Sequence, residues 1–231
     1  MLDLTARASG QEIMDDFTLP SVEVDPVLEG LAKMNAWFGG HEALIKALKT
    51  FPVKNGDSIS DWGCGGGDTL RAVAIWARRK RINLKLTGID CSPAVVQYAK
   101  RECATFTNIH FLQQNVMSDE LQKDQFDIII SSLFTHHFAD DEWVQLIRKM
   151  HQTAKRGVII TDLHRHWLLY VAVVAITRLL TRSKMARYDG PLSVKRAFTR
   201  KELVHLLQRA EIGNYKLTWE WAFRWKIIIY K

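Results

Sequence analysis

The sequence predicts an α/β fold built on a doubly wound, largely parallel sheet, and three observations carry that prediction. Short apolar runs around Ile59, Leu84–Ile89, Ile109–Gln113, Phe126–Ile130 and Gly157–Thr161 alternate with stretches of helical spacing, the order that gives a parallel sheet covered by helices. The run from Phe126 to Ile130 is almost continuously apolar, as expected of a central strand buried on both faces. Between them, DSISDWGCGGGDT (Asp57–Thr69) reads as strand, glycine-rich turn and helix, the local order of a ligand cradle.

Taken in order, residues 1–24 carry little signal. Asp25-Pro26 is expected to open a helix, with proline in the first turn where its missing N–H costs nothing. Gly39-Gly40 is expected to end it, and a second helix runs from His41 to about Phe51. After the glycine turn, Leu70, Val73, Ala74 and Ala77 recur at helical spacing,. Leu84–Ile89 forms the second strand, and Ser92-Pro93 caps a helix to about Ala104,. Ile109–Gln113 and Phe126–Ile130 are the third and fourth strands. A helix capped by Asp140 or Asp141 then runs to about Ala154, before the fifth strand at Gly157–Thr161.

Trp167–Thr177 is an apolar run too short to span a membrane, which needs about 20 apolar residues. A buried cap helix is its leading reading; a pocket wall, a homodimer face and peripheral membrane contact through 167–180 are the others. Tyr188-Asp189-Gly190-Pro191 reads as a turn, and Thr199 with Glu202 as a capping box,. Tyr215–Trp219 and Arg224–Tyr230 read as a closing strand pair.

The glycine turn restricts the ligand. A dinucleotide fingerprint requires G-x-G-x-x-G, but at the sixth position, counting Gly63 as the first, stands Asp68, whose carboxylate would repel a pyrophosphate,. No Gly-Lys-Ser/Thr follows, so a P-loop fails as well. What remains is an acid followed by Gly63, Gly65 and Gly67, and an acid suits a cationic ligand. Asp90 ends the second strand 23 residues after Gly67, near the spacing at which an acid meets a ribose in doubly wound folds,.

The acid-x-Gly-x-Gly-x-Gly pattern beginning at Asp61 resembles motif I of the class I methyltransferases, whose cofactor S-adenosylmethionine carries an ammonium and a sulfonium. The resemblance covers about residues 50–165, and the closing strands more loosely. It implies a Rossmann-like, seven-stranded sheet with the last strand pair antiparallel, N-terminal helices over residues 1–50, and a core over 51–231. A helical insertion at about 165–198 follows the fifth strand. It also implies a cofactor site made by Asp61, Gly63, Cys64, Gly65, Gly67, Asp90, Cys91, Asn115, Val116 and Ser131. Asp61 would lie beside the amino-acid end of the cofactor. Many relatives have an aspartate where this chain has Asn115 to accept from the adenine amino group; an Asn carbonyl can do the same. The histidine pair after the fourth strand looks like the quinone-biosynthesis branch. Asp162-Leu163-His164-Arg165 and Asp189-Gly190 leading to Arg196-Ala197-Phe198-Thr199 are similar to small methyltransferases of bacterial phenolic polyketide or pigment pathways.

Length and composition fit one substantial domain with a well-filled core: 231 residues, 47% hydrophobic, eight tryptophans,. Cys64, Cys91 and Cys103 form no CxxC pair, and no signal peptide opens the chain, so a reducing cytoplasm is expected. Residues 1–141 hold 14 Lys+Arg against 19 Asp+Glu, whereas residues 142–231 hold 18 against 6. That basic half suits nucleic acid, anionic lipid or an acidic substrate, and equally a solvated surface.

Methyl transfer to a phenol needs the acceptor held in line and its proton removed. A neutral histidine, with a reference pKa of about 6.5, can take that proton. His136, His137, His164 and His166 stand at strand ends, and His136 or His164 is the favoured catalytic group. No metal is expected: Asp162 with His164-x-His166 could chelate, but Ser131-Ser132 stand where metal-dependent catechol-type enzymes need an acid. No Asp/Asn-Pro-Pro-aromatic follows the fourth strand, and no cysteine suits cytosine C5 chemistry. The expected acceptor is an oxygen or carbon of a small, lipophilic, phenolic or quinone-like molecule. The alternatives are an RNA methyltransferase using the basic half, with nucleic acid the weaker partner, and a non-catalytic module binding a partner or membrane through Trp167–Leu180.

Overall fold

Seven strands make one sheet: β1 (Ser58–Trp62), β2 (Lys85–Asp90), β3 (Ile109–Gln113), β4 (Phe126–Ser132), β5 (Ala154–Leu163), β6 (Tyr215–Glu220) and β7 (Arg224–Tyr230). They lie in the order β3-β2-β1-β4-β5-β7-β6. β1 to β5 are parallel neighbours, while β7 runs antiparallel to both β5 and β6. The computed structural model describes residues 3–231. The order reverses between β1 and β4, so the carboxyl ends of those two strands flank the switch point where such sheets bind ligands. Ile128, Ile129 and Ile130 of β4 are fully buried, as their unbroken apolar run requires.

Eight helices, α1 (Ser21–Trp37), α2 (Gly40–Leu48), α3 (Asp68–Arg79), α4 (Pro93–Glu102), α5 (Asp140–Thr153), α6 (Trp167–Leu180), α7 (Lys184–Arg196) and α8 (Arg200–Arg209), complete the described residues together with two short 3-10 turns. α3 shows why the local sequence suffices. Leu70, Val73, Ala74 and Ala77 make one buried face, and Arg78 and Arg79 sit at its negative C-terminal end,. α4 is capped by Ser92, whose hydroxyl accepts from the Val95 N–H at 3.4 Å,. Thr199 and Glu202 form the expected reciprocal cap of α8,.

Four local expectations are corrected. α1 begins at Ser21, with Pro26 inside it; the helix tolerates one missing donor because Val24, Val27 and Leu28 bury its inner face. Glu142, not Asp140 or Asp141, answers the start of α5, accepting from the Ala139 N–H at 3.0 Å. Asp189-Gly190-Pro191 is helical, not a turn. There the Asp189 carboxylate accepts from the Ile13 and Met14 N–H groups at 2.7 and 3.1 Å. A side chain at Gly190 would press within 3.0 Å of Val173, so the glycine lets α7 close on α6.

The fourth correction concerns α6, read as a buried helix. Only its Val173 and Thr177 are buried, while Trp167, Leu168, Val171, Leu179 and Leu180 are exposed, Leu179 by 82%. Among the described residues no helix is long and apolar enough to cross a membrane.

The basic C-terminal half is partly internal. Arg165, Arg196 and Arg224 are all buried. Arg165 makes a two-pronged bond to Glu202 at 2.6 and 2.9 Å and reaches the Leu4 carbonyl at 3.0 Å. Arg196 bonds the carbonyls of His136, His137 and Gly10 and the Asp15 carboxylate. Arg165 and Arg196 thus fasten the N-terminal segment at Leu4, Thr5, Gly10 and Asp15.

Candidate active site

The turn after β1 places three glycines in left-handed conformations, Gly63 at φ 68°, Gly65 at φ 50° and Gly67 at φ 73°. Two of them show why. A Cβ at Gly63 would fall 2.1 Å from the Phe134 ring, whereas above Gly65 nothing lies nearer than Leu28 at 3.9 Å. Gly63 thus seats an aromatic side chain from beyond β4, whereas a methyl group at Gly65 would meet only Leu28, in ordinary van der Waals contact. Gly63→Ala should lower unfolding free energy by about 1–2 kcal/mol from backbone strain alone, with the Phe134 clash added; urea denaturation measures it.

Asp61 and Asp90 end neighbouring strands: Asp61 pairs with Gly88 and Trp62 with Ile89. Asp90 Oδ2 accepts from the Gly65 N–H at 3.2 Å, and its Oδ1 from the Ser92 N–H at 3.1 Å. Asp61 is 1% exposed, and its Oδ1 has no hydrogen-bond partner among the described residues. Burial pushes its carboxyl well above the usual range, and the neighbouring Asp68 and Asp90 add to the rise. Burial likewise raises Asp90, against backbone bonds that pull it down. A buried carboxylate with an unused oxygen beside two more acids is a place for a cation.

The opposite charge is nearby. Arg224, at the start of β7, is buried with Nε and Nη1 unpartnered. Burial lowers it to about 10, against the pull of Asp162 and Asp68. Asp68, at the first turn of α3, is held by His41 at 2.6 Å and Asn35 at 3.0 Å. An unused carboxylate oxygen and unused guanidinium N–H groups around one acid suit the two charges of an amino-acid zwitterion.

The other positions expected at the cofactor are placed as follows. Cys64 is buried, Cys91 partly so, and Val116 buried. Asn115 is exposed, its Oδ1 accepting from the Met117 N–H at 2.8 Å. Ser131 is buried and donates to the Trp62 carbonyl at 2.9 Å. Two surface hollows, lined by Asp119, Lys149 and Thr153 and by His151, Ile212 and Tyr230, lie elsewhere. They are shallow, and the chemistry argues for the glycine turn, over which Leu28 and Tyr98 pack closely.

Beyond β4 a second cluster forms. His136 is 2% exposed; its Nδ1 lies 2.7 Å from Asp162 Oδ1, and its backbone N–H donates to Asp162 Oδ2 at 3.0 Å. Thr135 and the Leu163 N–H also donate to Asp162, at 2.7 and 2.8 Å. Burial opposes ionisation of Asp162, yet the charge and hydrogen bond of His136 hold it down to about 2. His137 Nδ1 meets Asp15 Oδ1 at 2.7 Å, and the two imidazoles lie 4.4 Å apart. Glu12 reaches in from the N-terminal segment, Oε1 3.7 Å from His136 Nε2 and Oε2 3.9 Å from His137 Nε2. Burial raises Glu12 to about 7. Phe134 and Phe138 wall the cluster.

His164 stands apart. It accepts from Trp219 Nε1 at 3.2 Å and packs among His166, Phe223 and Trp225. Burial lowers its pKa, with His166 and Arg165 adding to the effect. Sequence reasoning missed Glu12, Asp15 and Arg224: two lie in a stretch without periodicity, and the third looked like one more surface cation.

Sheet order, antiparallel β7 and the acid-glycine turn at the switch point are those of the class I, S-adenosylmethionine-dependent methyltransferase fold. Residues 59–157 match the family model described as a methyltransferase domain. A demethylmenaquinone methyltransferase of Tropheryma whipplei (strain Twist) is 38% identical over 63 residues, 27% of this chain. The chain spans 24% of that relative's length. Among solved structures, a SAM-dependent methyltransferase from Aquifex aeolicus superposes with a TM-score of 0.59 at 18% identity, covering 80% of this chain and 87% of its own. Human N-acetylserotonin methyltransferase in complex with SAM superposes with a TM-score of 0.65 at 16% identity, covering 96% of this chain and 63% of its own.

Proposed function

We propose that this protein transfers a methyl group from S-adenosylmethionine to a small, lipophilic acceptor, phenolic or quinone-like. The observation that carries the reading is the buried, unpartnered Asp61 Oδ1 at the glycine turn, with the unpartnered Nε and Nη1 of Arg224 near the same Asp68. Asp61 takes the ammonium of the cofactor and Arg224 its carboxylate; Asp90, with lone pairs left on both oxygens, takes the ribose hydroxyls. The bound cofactor supplies an electrophilic methyl on a sulfonium, so a carbon–oxygen (or carbon–carbon) bond forms as the carbon–sulfur bond breaks. Cys64, Cys91, Val116 and Ser131 shape the remaining wall, and Asn115 reaches the base once its link to Met117 is exchanged.

On the acceptor side His136 is the better candidate than His164. Asp162 anchors its Nδ1, leaving Nε2, 3.7 Å from Glu12 Oε1, as a Lewis base,. His164 is engaged by Trp219. The apolar, aromatic setting and the internal use of Arg165, Arg196 and Arg224 favour a small acceptor over RNA. The weak likeness to a demethylmenaquinone methyltransferase points the same way. Titration calorimetry with S-adenosylhomocysteine tests the reading: binding of one equivalent is expected, and absence of heat at any concentration reached removes it.

A surface contact follows from α6. Its exposed Trp167, Val171, Leu179 and Leu180 adjoin Arg178, Arg182, Lys184 and Arg187, the pairing of apolar and basic residues that suits an anionic bilayer surface. Co-sedimentation with vesicles rich in phosphatidylglycerol should be lost in a Leu179→Asp, Leu180→Asp double variant that still binds S-adenosylhomocysteine. Equal sedimentation of both proteins would refute the contact.

A further inference from the structure

We propose that Glu12, His136 and His137 form a three-ligand site for a divalent first-row metal ion, zinc by preference. One carboxylate oxygen and one nitrogen from each imidazole, supplied from two segments of chain more than 120 residues apart, all lie within 4.8 Å of one another. The two Nε2–Oε separations, 3.7 and 3.9 Å, are too long for hydrogen bonds,. They are close to the spacing of about 3.3 Å between ligand atoms around a tetrahedral ion with bonds near 2.0 Å. Two imidazoles and one glutamate with an open fourth position is a donor set that suits zinc.

Three further observations point to an ion. Glu12 is 6% exposed, and its Oε1 has no hydrogen-bond partner among the described residues. A buried carboxylate oxygen facing two imidazole nitrogens without bonding either is costly unless something lies between them. Each histidine also gives its other nitrogen to a carboxylate, His136 to Asp162 and His137 to Asp15, both at 2.7 Å. That is the outer shell that fixes the tautomer of metal-bound histidine and leaves Nε2 as the donor. Finally, the charge is unbalanced. Glu12, Asp15, Asp162 and Asp189 gather around the cluster, while Arg196, 4.0 Å from Glu12 Oε1, is bonded to Asp15 and to the carbonyls of Gly10, His136 and His137. The Arg7 charge is met by Asp140. With both imidazoles neutral, as metal ligands are, a dication would offset the excess.

Metal binding at this cluster goes beyond methyl transfer and does not depend on it. Glu12 belongs to the N-terminal segment, so an ion would latch that segment over the acceptor end of the site. With an ion bound, Glu12, His136 and His137 would hold it, and it would supply Lewis-acid activation of a hydroxyl at a fourth position in place of the imidazole base.

The test uses the full chain, stripped with a chelator and dialysed against Zn(II), with metal content read by mass spectrometry and affinity by competition with a chromophoric chelator. One ion per chain is expected, together with slower amide exchange over residues 10–20 in the loaded protein. Glu12→Gln and His137→Ala should each weaken the affinity by at least about 10- to 100-fold while S-adenosylhomocysteine binding persists. Co(II) in place of Zn(II) should give the intense visible bands of a four-coordinate site, absent from the Glu12→Gln variant. Failure of the wild-type chain to retain an ion overturns the proposal, as does retention unchanged by both substitutions. Cofactor binding, measured separately, tells that failure apart from failure of the methyltransferase reading.

Discussion

Asp61→Asn is expected to make the protein more stable and less able to bind its cofactor. The native carboxylate is buried beside Asp68 and Asp90, with one oxygen unpartnered. Removing its charge relieves that repulsion, so the midpoint of thermal unfolding without cofactor should rise. A charge-assisted bond to the cofactor ammonium, by contrast, contributes about 1.5–3 kcal/mol. Calorimetry should therefore show S-adenosylmethionine affinity falling by about 10- to 150-fold, since about 1.4 kcal/mol is a factor of ten. The pH dependence carries the same signature. In the free protein the Asp61 pKa is raised by burial and by its two acidic neighbours, while an adjacent ammonium favours the ionised form. Binding then releases a proton between the bound and free pKa values, and affinity rises with pH across that window. Stability runs the other way: a carboxyl raised on folding contributes stability below its unfolded pKa and loses it as pH climbs through the folded value. Calorimetry in buffers of different ionisation enthalpy should detect the released proton in the native protein and not in the variant. An Asp61→Asn protein with unaltered affinity and unaltered pH dependence would show that the cation lies elsewhere.

The sequence made legible those parts of the fold that repeat. Strand ends at Asp61, Asp90 and Asp162 could be placed because each closes an apolar run, and a parallel sheet gathers such ends at one rim. The caps at Ser92 and Thr199 were readable because a short polar side chain before a helical run has one main use. What stayed hidden depends on contacts between distant segments. The 3-10 turn Ile13–Asp15 has no period to detect, yet it brings Glu12 and Asp15 to the two histidines. Asp189-Gly190-Pro191 has the composition of a turn and is held helical by partners 175 and 176 residues away in sequence. Trp167–Leu180 reads as core by hydropathy, but hydropathy does not say whether anything is there to cover it. Arg196 and Arg224 counted as surface charge in the composition and prove to be interior.

Asp162→Asn should cost more activity than any other single change at the acceptor end apart from loss of His136 itself. All four bonds that reach this carboxylate come from donors: the Thr135 hydroxyl, the His136 and Leu163 N–H groups and the His136 imidazole. An amide cannot accept four. Its NH2 must face a donor or force His136 Nδ1 to become the acceptor, which puts the hydrogen on Nε2 and removes the lone pair aimed at the acceptor. Asp162 touches no substrate in this arrangement and acts through His136, so it is a positioning residue. Correct placement of a catalytic histidine contributes about 10²–10⁴ in rate, and kcat should fall by that order. The cofactor Kd should stay within about twofold, because Asp61, Asp90 and the glycine turn are untouched and distant, independent sites behave additively. Folding stability should drop by about 1–3 kcal/mol, the cost of leaving buried donors without an acceptor. The comparison that decides is kinetic: a purely structural role lowers the amount of folded enzyme and spares kcat per folded site. Loss of kcat at full S-adenosylhomocysteine stoichiometry would establish the positioning role. A variant that turns over at the native rate once folded would reject it and leave His136 as a structural histidine.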